Sequence, residues 1–278
     1  MCLNLYVINT DERQKYLSES LNGIKKGSTT IDTIKEAANN WYVLPTPLYK
    51  YDFDKVDEDL KRRLSDDNTL VFAGAVKGKW QTFFEQNNIE YYDFMMDDAV
   101  VLQNADVTAE ATIMIYLANS RYAVRGQKII VSGYGRCGKL IAEKFAALGA
   151  NVTIMARSRE ARKSARNAGC NAIPFSYGPQ EAYGTVALIN TVPQKVIGKC
   201  ILSELQKDCL LIEIASTPGG FDMEMVNKYG VRYINAPGLP SKYLQKTSGM
   251  ILANCINGFV KTRFENGVEN IWIYQVSP

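Results

Sequence analysis

Hydrophobic and polar positions change rhythm twice along this chain. In the first third, short strand-like runs (Leu3–Ile8, Trp41–Leu44, Leu70–Ala73) alternate with helical stretches such as Arg13–Ile24. Turn formers separate them: Pro45, Pro47 and the Gly74/Gly78 region. The pattern predicts a small α/β domain over residues 1–104. Asn104–Arg125 reads differently. Thr108 precedes an apolar-rich run, Ile113, Ile115, Tyr116 and Leu117, and Gly126 closes it. A linking helix over 105–126 is therefore expected, with Thr108 and Glu110 near its start.

From Lys128 strand and helix alternate regularly. Strands are expected at Lys128–Ser132, Val152–Ala156, Val186–Asn190, Leu210–Ala215 and Arg232–Asn235, with a further one near Asn171–Phe175. Helical patterns fall between them at Lys139–Leu148, Arg159–Ala168, Ile197–Leu205 and Asp222–Lys228. That alternation calls for a Rossmann-type doubly wound parallel sheet, covered by helices on both faces, over residues 127–240. Leu244–Thr262 reads as a second long helix and the remainder as a tail. Residues 241–278 are expected to return to the N-terminal domain, so the fold class is α/β with a second, smaller α/β domain completed by the C-terminal helix. A cleft between the domains would follow.

A chain of 278 residues has room for two domains with packed cores. A net charge of +3 offers no basic field for nucleic acid. Apolar runs such as Cys209–Ile212 stop far short of the roughly 20 residues a membrane span needs. Met1–Asn9 lacks a basic leader and a cleavage site and reads as an opening strand. A soluble, cytoplasmic protein without nucleic-acid or membrane partners is expected. The six cysteines, Cys2, Cys137, Cys170, Cys200, Cys209 and Cys255, form no C-x-x-C pair, so small buried hydrophobes are expected rather than a disulfide framework or a metal site. The chain has no histidine. That removes Ser-His-Asp and Cys-His catalysis and any His-ligated metal, and leaves proton transfer to Asp, Glu, Lys, Tyr, Cys or water.

The most informative motif is Gly133-Tyr134-Gly135-Arg136-Cys137-Gly138. G-x-G-x-x-G is weak alone, but here a predicted strand precedes it and an amphipathic helix follows. Gly133 permits a tight turn, Gly135 lets a pyrophosphate approach the backbone, and Gly138 lets helix and strand pack closely. Amides at the helix start, with Arg136 and Cys137, then face the phosphates. The second strand runs into Arg157-Ser158-Arg159 instead of the Asp or Glu that binds an NAD ribose. Two guanidiniums and a hydroxyl suit a 2′-phosphate, which favours NADP over NAD; a solvated basic helix start is the bland alternative. Two later loops fall at strand carboxyl ends, where open α/β sheets bind ligands. Asn190-Thr191-Val192-Pro193 and Ala215 are candidates for the ribose and nicotinamide path. Ser216, Thr217, Gly219 and Gly220 are candidates for the nicotinamide amide or a substrate carboxylate. For each loop a purely structural turn stays open.

Taken in order, these segments resemble the A-subunit family of dipicolinate synthase. The resemblance is carried by Asn104–Glu110, Gly133–Gly138, Phe145–Val152, Ala156-Arg157-Ser158, Ile189–Pro193, Ile214–Gly220, Ala236–Pro240, Lys246–Gly249 and Ile251–Asn254. Asp11 and Arg13 also match the family's first strand end. The chain departs from the family pattern at Ser241, Leu244-Gln245, Glu213 (where Asp is usual) and Thr217 (where a basic residue is common). The resemblance implies NADP-dependent oxidation of dihydrodipicolinate or 4-hydroxytetrahydrodipicolinate to dipicolinate during sporulation. It also implies a partner B subunit of flavoprotein-like fold, and a homo-oligomer is expected. For the substrate's two carboxylates the candidate donors are Thr108, Ser216, Thr217, Gly219, Gly220, Thr247 and Ser248. Glu110 and Lys246 are the acid/base candidates, each with a bland surface role as its alternative. Oxidation of another small carboxylated substrate and a non-catalytic NADP-binding role stay open as competing functions.

Overall fold

The computed structural model describes residues 2–23, 25–31, 40–176, 179–264 and 270–277. The chain divides into two compact units, Met1–Asn104 with Gln245–Pro278, and Ala105–Leu244. Each is built on a six-stranded sheet whose paired strands are all parallel.

The first sheet contains β1 (Cys2–Ile8), β2 (Lys25–Thr30), β3 (Asn40–Val43), β4 (Leu70–Ala73), β5 (Glu90–Asp93) and β12 (Asn270–Ser277). Their spatial order is β2-β12-β1-β3-β4-β5. The last strand thus sits inside the sheet, paired with β1 along Cys2–Ile8 and with β2 on its other side. These residues are therefore a strand and not the expected tail. Their run of β-branched and aromatic residues is a strand signal.

Alternate strand residues serve opposite faces. Tyr6, Ile8, Tyr42, Val71 and Ala73 join Leu60 and Leu64 of α2 (Glu58–Leu64) and Trp80 and Phe84 of α3 (Lys79–Gln86). Trp41 and Phe72 face the other way and meet Phe259 of α10 (Gln245–Arg263) edge-on, with ring centroids 6.0 and 5.3 Å apart. Each such large side chain contributes about 1.5–3 kcal/mol on burial. The long helix α10 lies along α1 (Glu12–Ser20). At Gly249 a Cβ would stand 2.7 Å from both the Arg13 carbonyl oxygen and the Leu17 amide nitrogen, so only glycine allows that approach.

The second sheet contains β6 (Lys128–Ser132), β7 (Asn151–Met155), β8 (Asn171–Ile173), β9 (Thr185–Asn190), β10 (Leu210–Glu213) and β11 (Arg232–Asn235), in the order β11-β10-β9-β6-β7-β8. That is the order of a dinucleotide-binding Rossmann sheet. On β6, Ile129 and Val131 pack with Phe145 of α5 (Arg136–Ala147), whereas Ile130 packs with Leu188, Leu211 and Leu202 of α7 (Lys199–Leu202). Both faces are covered, as the double winding requires. Further helices of this unit are α6 (Arg159–Asn167), α8 (Met223–Tyr229) and α9 (Leu239–Lys242).

The helix predicted from Asn104 begins and ends earlier than expected at the same length: α4 spans Asp98–Asn119. Asp97 starts it, because its carboxylate accepts hydrogen bonds from the amides of Ala99 (2.8 Å) and Val100 (3.2 Å). Thr108 and Glu110 therefore lie mid-helix, not at a helix start. Among the described residues no helix is long and apolar enough to cross a membrane.

Candidate functional site

The glycine motif forms the turn between β6 and the first turn of α5, so that helix begins at Arg136 rather than at Lys139. Gly133 adopts φ of +95°, and its amide donates to the Met155 carbonyl at 2.8 Å. A Cβ there would run into the Thr191 hydroxyl, and one on Gly138 would run into the Gly133 carbonyl. Gly135 is different. It is the N-cap of α5, it makes no side-chain cap, and a Cβ on it would meet nothing within 4 Å. Two glycines are thus demanded by packing, and the third keeps open space over the first amides of a 12-residue helix. Such a cradle fits an anionic group, which the helix dipole favours. Arg136 is exposed beside it. Burial holds the half-buried Cys137 thiol above its ordinary value, so it acts as a neutral packing group.

At the end of β7 the next turn carries Arg157, Ser158 and Arg159, all exposed. The Ser158 hydroxyl caps α6 by accepting from the Ala161 amide at 3.0 Å. Arg162 donates to the carbonyls of Ala156 (2.8 Å) and Arg157 (2.6 Å) and so fixes the turn's path. Cationic side chains stand at the position where an NAD site carries a carboxylate. The residues present fit a nicotinamide dinucleotide.

Two further loops meet at a buried polar pair. Asn190, fully buried, donates from its side-chain amide to the Glu213 carboxylate at 2.7 Å and to the Val192 carbonyl at 2.8 Å. Glu213 also accepts from the amides of Ala215 (3.0 Å) and Gly220 (2.6 Å). Burial raises the Glu213 carboxyl above its ordinary value, and these donors pull against that rise. Sequence reasoning noted Glu213 only as a departure from a pattern. The available signal was an acid closing the apolar run Leu210-Leu211-Ile212.

This pair corrects the reading of Gly219 and Gly220. A Cβ on Gly219 would stand 2.8 Å from the Glu213 carboxylate, and one on Gly220 would run into the Asn190 amide. Their N–H groups are engaged as well, Gly219 with the Ser216 carbonyl at 2.9 Å and Gly220 with Glu213. They shape the loop and do not offer amides to a ligand. Ser216 and Thr217 are exposed at its tip. Thr191 is tied to β6, its amide and hydroxyl both donating to the Ser132 carbonyl at 2.9 and 2.7 Å.

A cleft of about 230 Å³ within the second unit gathers several candidates: Thr108, Cys137, Thr191, Pro193, Ala215 and Ser216 line it. Thr217 and Val192 do not. Nor does Glu110, whose carboxylate meets Lys144 of α5 at 3.3 Å beside Asp106. Lys246, Thr247 and Ser248 belong to the first unit, in the first turn of α10, where Lys246 and Thr247 are exposed and Ser248 is fully buried. Among the described residues no cluster of three or more His, Cys, Asp or Glu could hold a metal.

No family model matches the chain. It is 32% identical over 190 residues to the dipicolinate synthase A subunit of Bacillus subtilis (strain 168), a match covering 68% of this chain and 63% of that protein. The match thus spans less than two thirds of that relative's length. Two solved structures share the fold over nearly their whole length. The dipicolinate synthase A subunit from Bacillus halodurans superposes with a TM-score of 0.81 at 25% identity, covering 92% of this chain and 97% of that one. The corresponding polypeptide of dipicolinate synthase from Bacillus subtilis gives a TM-score of 0.80 at 25% identity, covering 95% and 98%.

Proposed function

We propose, from the premise that this chain belongs to the A-subunit family of dipicolinate synthase, that it is an NADP-dependent oxidoreductase producing dipicolinate. Its substrate is the dihydro form, or the 4-hydroxytetrahydro form that reaches it by loss of water. One observation carries this reading: an uncapped helix start with open space over Gly135 shares its sheet edge with Arg157 and Arg159. Gly133, Gly135 and the amides of Arg136, Cys137 and Gly138 hold the pyrophosphate. Arg157, Ser158 and Arg159 hold the 2′-phosphate. Asn190, Thr191, Val192, Pro193 and Ala215 flank the ribose and nicotinamide.

When bound, NADP⁺ supplies a hydride acceptor, and the ring becomes aromatic as it loses that hydride and a proton. The chain's own part is to orient the ring and exclude competing geometries. Thr108 and Ser216, which line the cleft of the second unit, and Thr217 of the same loop contribute hydroxyls towards the substrate. Of the two acid/base candidates, Glu110 is committed to Lys144 and Lys246 belongs to the first unit. A B subunit of flavoprotein-like fold and a second copy of this chain complete the assembly, in the cytoplasm of a sporulating cell.

The test is NADPH formation when the purified chain, with and without a B subunit, meets NADP⁺ and freshly made 4-hydroxytetrahydrodipicolinate. NADPH and dipicolinate should appear in equal amounts. Confirmed NADP binding without either product would overturn the substrate assignment. Equal affinity for NAD and NADP would overturn the role given to Arg157 and Arg159.

A further inference from the structure

The first unit has a carboxyl edge of its own. After β1 the chain leaves through α1 towards β2, and after β3 it leaves through α2 towards β4, on the opposite side of the sheet order. Connections that part in opposite directions from adjacent strands open a crevice at the strands' carboxyl ends, and open parallel sheets bind ligands there. The residues at this crevice come from the two loops and the first turn of α1: Asn9, Arg13, Gln14 and Thr46.

Their polar atoms are buried and unsatisfied. Arg13 is 5% exposed, and its Nε and Nη2 have no hydrogen-bond acceptor. Those two nitrogens form the side edge of the guanidinium, the edge that grips a carboxylate through two parallel bonds. Asp11 is its ion-pair partner, but at 4.0 Å, and that carboxylate also caps α1 by accepting from the Gln14 amide at 2.9 Å. Desolvation pulls the Arg13 guanidinium below its ordinary value, with Asp11 opposing. Gln14 is held by donation to the Leu44 carbonyl at 2.8 Å, which leaves its Oε1 unpaired. Asn9 Oδ1 and Thr46 Oγ1 are unpaired too. On α10, Gly249 abuts the Arg13 carbonyl, and the neighbouring Ser248 carries another buried, unpaired hydroxyl. Buried polar groups are ordinarily bonded, so this many orphans along one sheet edge need a partner.

We propose that this crevice is a binding site for a carboxylate of a small organic acid, with Arg13 as its two-pronged anchor and Thr46 as a supporting donor. The identity of the acid rests on the dicarboxylate reading above; the anchor does not. A carboxylate matches the side edge of a guanidinium in charge and geometry, and the acceptors on Asn9 and Gln14 suit a hydroxyl or an ordered water beside it. A structural role for Arg13 makes the opposite demand, since a buried charge kept for stability needs a close, well-bonded partner.

The experiment is calorimetric titration of the full chain with pyridine-2,6-dicarboxylate. It compares the unmodified protein with Arg13→Met, Arg13→Lys and Thr46→Val, alongside NADP titrations and thermal melts of each. Arg13→Met should weaken dicarboxylate binding by about tenfold or more, with Arg13→Lys intermediate. NADP affinity should be unchanged, and the melting temperature unchanged or higher, because an unpaired buried charge has gone. Dicarboxylate affinity that survives Arg13→Met would overturn the proposal. So would inorganic phosphate competing as well as the dicarboxylate, or an unmodified chain that ignores the dicarboxylate. Should Arg13→Met fail to fold, Arg13→Lys and Thr46→Val decide: full affinity in both overturns the site. Loss of NADP binding in the unmodified chain would sink the proposed dehydrogenase while leaving this result intact.

Discussion

The two sheets are alike in size and direction, and their carboxyl edges are finished in opposite ways. In the second sheet the edge is made of backbone and of polar side chains that satisfy one another. Asn190 bonds to Glu213, Thr191 to Ser132, and Gly220 to Glu213, so that Ser132 Oγ is the one unpaired buried side-chain atom at this edge among the described residues. In the first sheet the corresponding edge holds Asn9, Arg13, Gln14 and Thr46, each with an unpaired buried atom. An edge of glycines and helix amides suits a phosphate, whose charge is spread and whose recognition needs close backbone approach. An edge that carries a guanidinium and a hydroxyl beside two amide oxygens is the one proposed above for a small organic acid. On the two proposals above, the same parallel-sheet geometry would serve two kinds of anion, according to whether backbone or side chains face the crevice.

The sheets also differ in how the chain assembles them. The second comes from one continuous stretch, whereas the first is closed by β12, which lies between β1 and β2. Removing residues 270–277 should therefore have the largest effect. It cuts two ladders from the sheet interior, a loss comparable to the whole stability of a domain, about 5–15 kcal/mol. Hydrogen exchange should show the first unit unprotected while the amides of β6, β7 and β9 stay protected. Retained protection in β1 and β3 would show that the first sheet does not depend on its last strand.

Within the second unit, two of the motif glycines should separate cleanly. Gly138→Ala places a Cβ on the Gly133 carbonyl and should cost about 3 kcal/mol, as overpacking does. Gly135→Ala meets open space at ordinary φ and should change stability by less than about 0.5 kcal/mol. Yet Gly135→Ala should weaken dinucleotide binding by about tenfold or more, since a methyl then occupies the pyrophosphate's approach. Thermal melts and dinucleotide titrations on the two variants check this. A destabilised Gly135→Ala would mean that the open space is not a ligand's. Smaller again is the effect of the arginines. Arg157→Ala and Arg159→Ala should each reduce NADP affinity by about tenfold, leave NAD affinity alone and barely move the melt.

How far the sequence spoke depended on where the information lay. The glycine turn and the Rossmann alternation were legible because period-two apolar runs, glycines and helix starts are local signals, and β6 and β11 fall where the pattern put them. Glu213 and Arg13 were opaque in role because burial is not local. An acid after Leu210-Leu211-Ile212 does not reveal that three donors converge on it, and an arginine in a first helical turn looks solvated until α10 is seen to cover it. The misplaced start of α4 has another origin, a choice between two local signals: Thr108 looked like a cap, but Asp97 lies upstream with both its oxygens engaged. β12 was missed for a different reason, since its partners lie at the far end of the chain.

The helix starts give the comparison its finest test. In α4 the Asp97 side chain caps the first amides, whereas at α5 the N-cap is Gly135, with no side-chain cap and open space beside it. The Tyr92 hydroxyl, donating at 2.6 Å, and the Val100 and Ala99 amides hold the Asp97 carboxyl below its ordinary value of 3.8. A depressed carboxyl binds its proton less readily in the folded chain than in the unfolded one. Its stabilisation is therefore complete above the ordinary value and fades as pH falls through the depressed one. Asp97→Ala should cost about 1 kcal/mol near neutrality, as the loss of a helix cap does. The gap between the melting temperatures of the two proteins should narrow as the solution is acidified below 3.8. A gap of constant width down to that acidity would mean that Asp97 acts through shape and not through charge. The distinction between a capped and a ligand-ready helix start would then lose its electrostatic half.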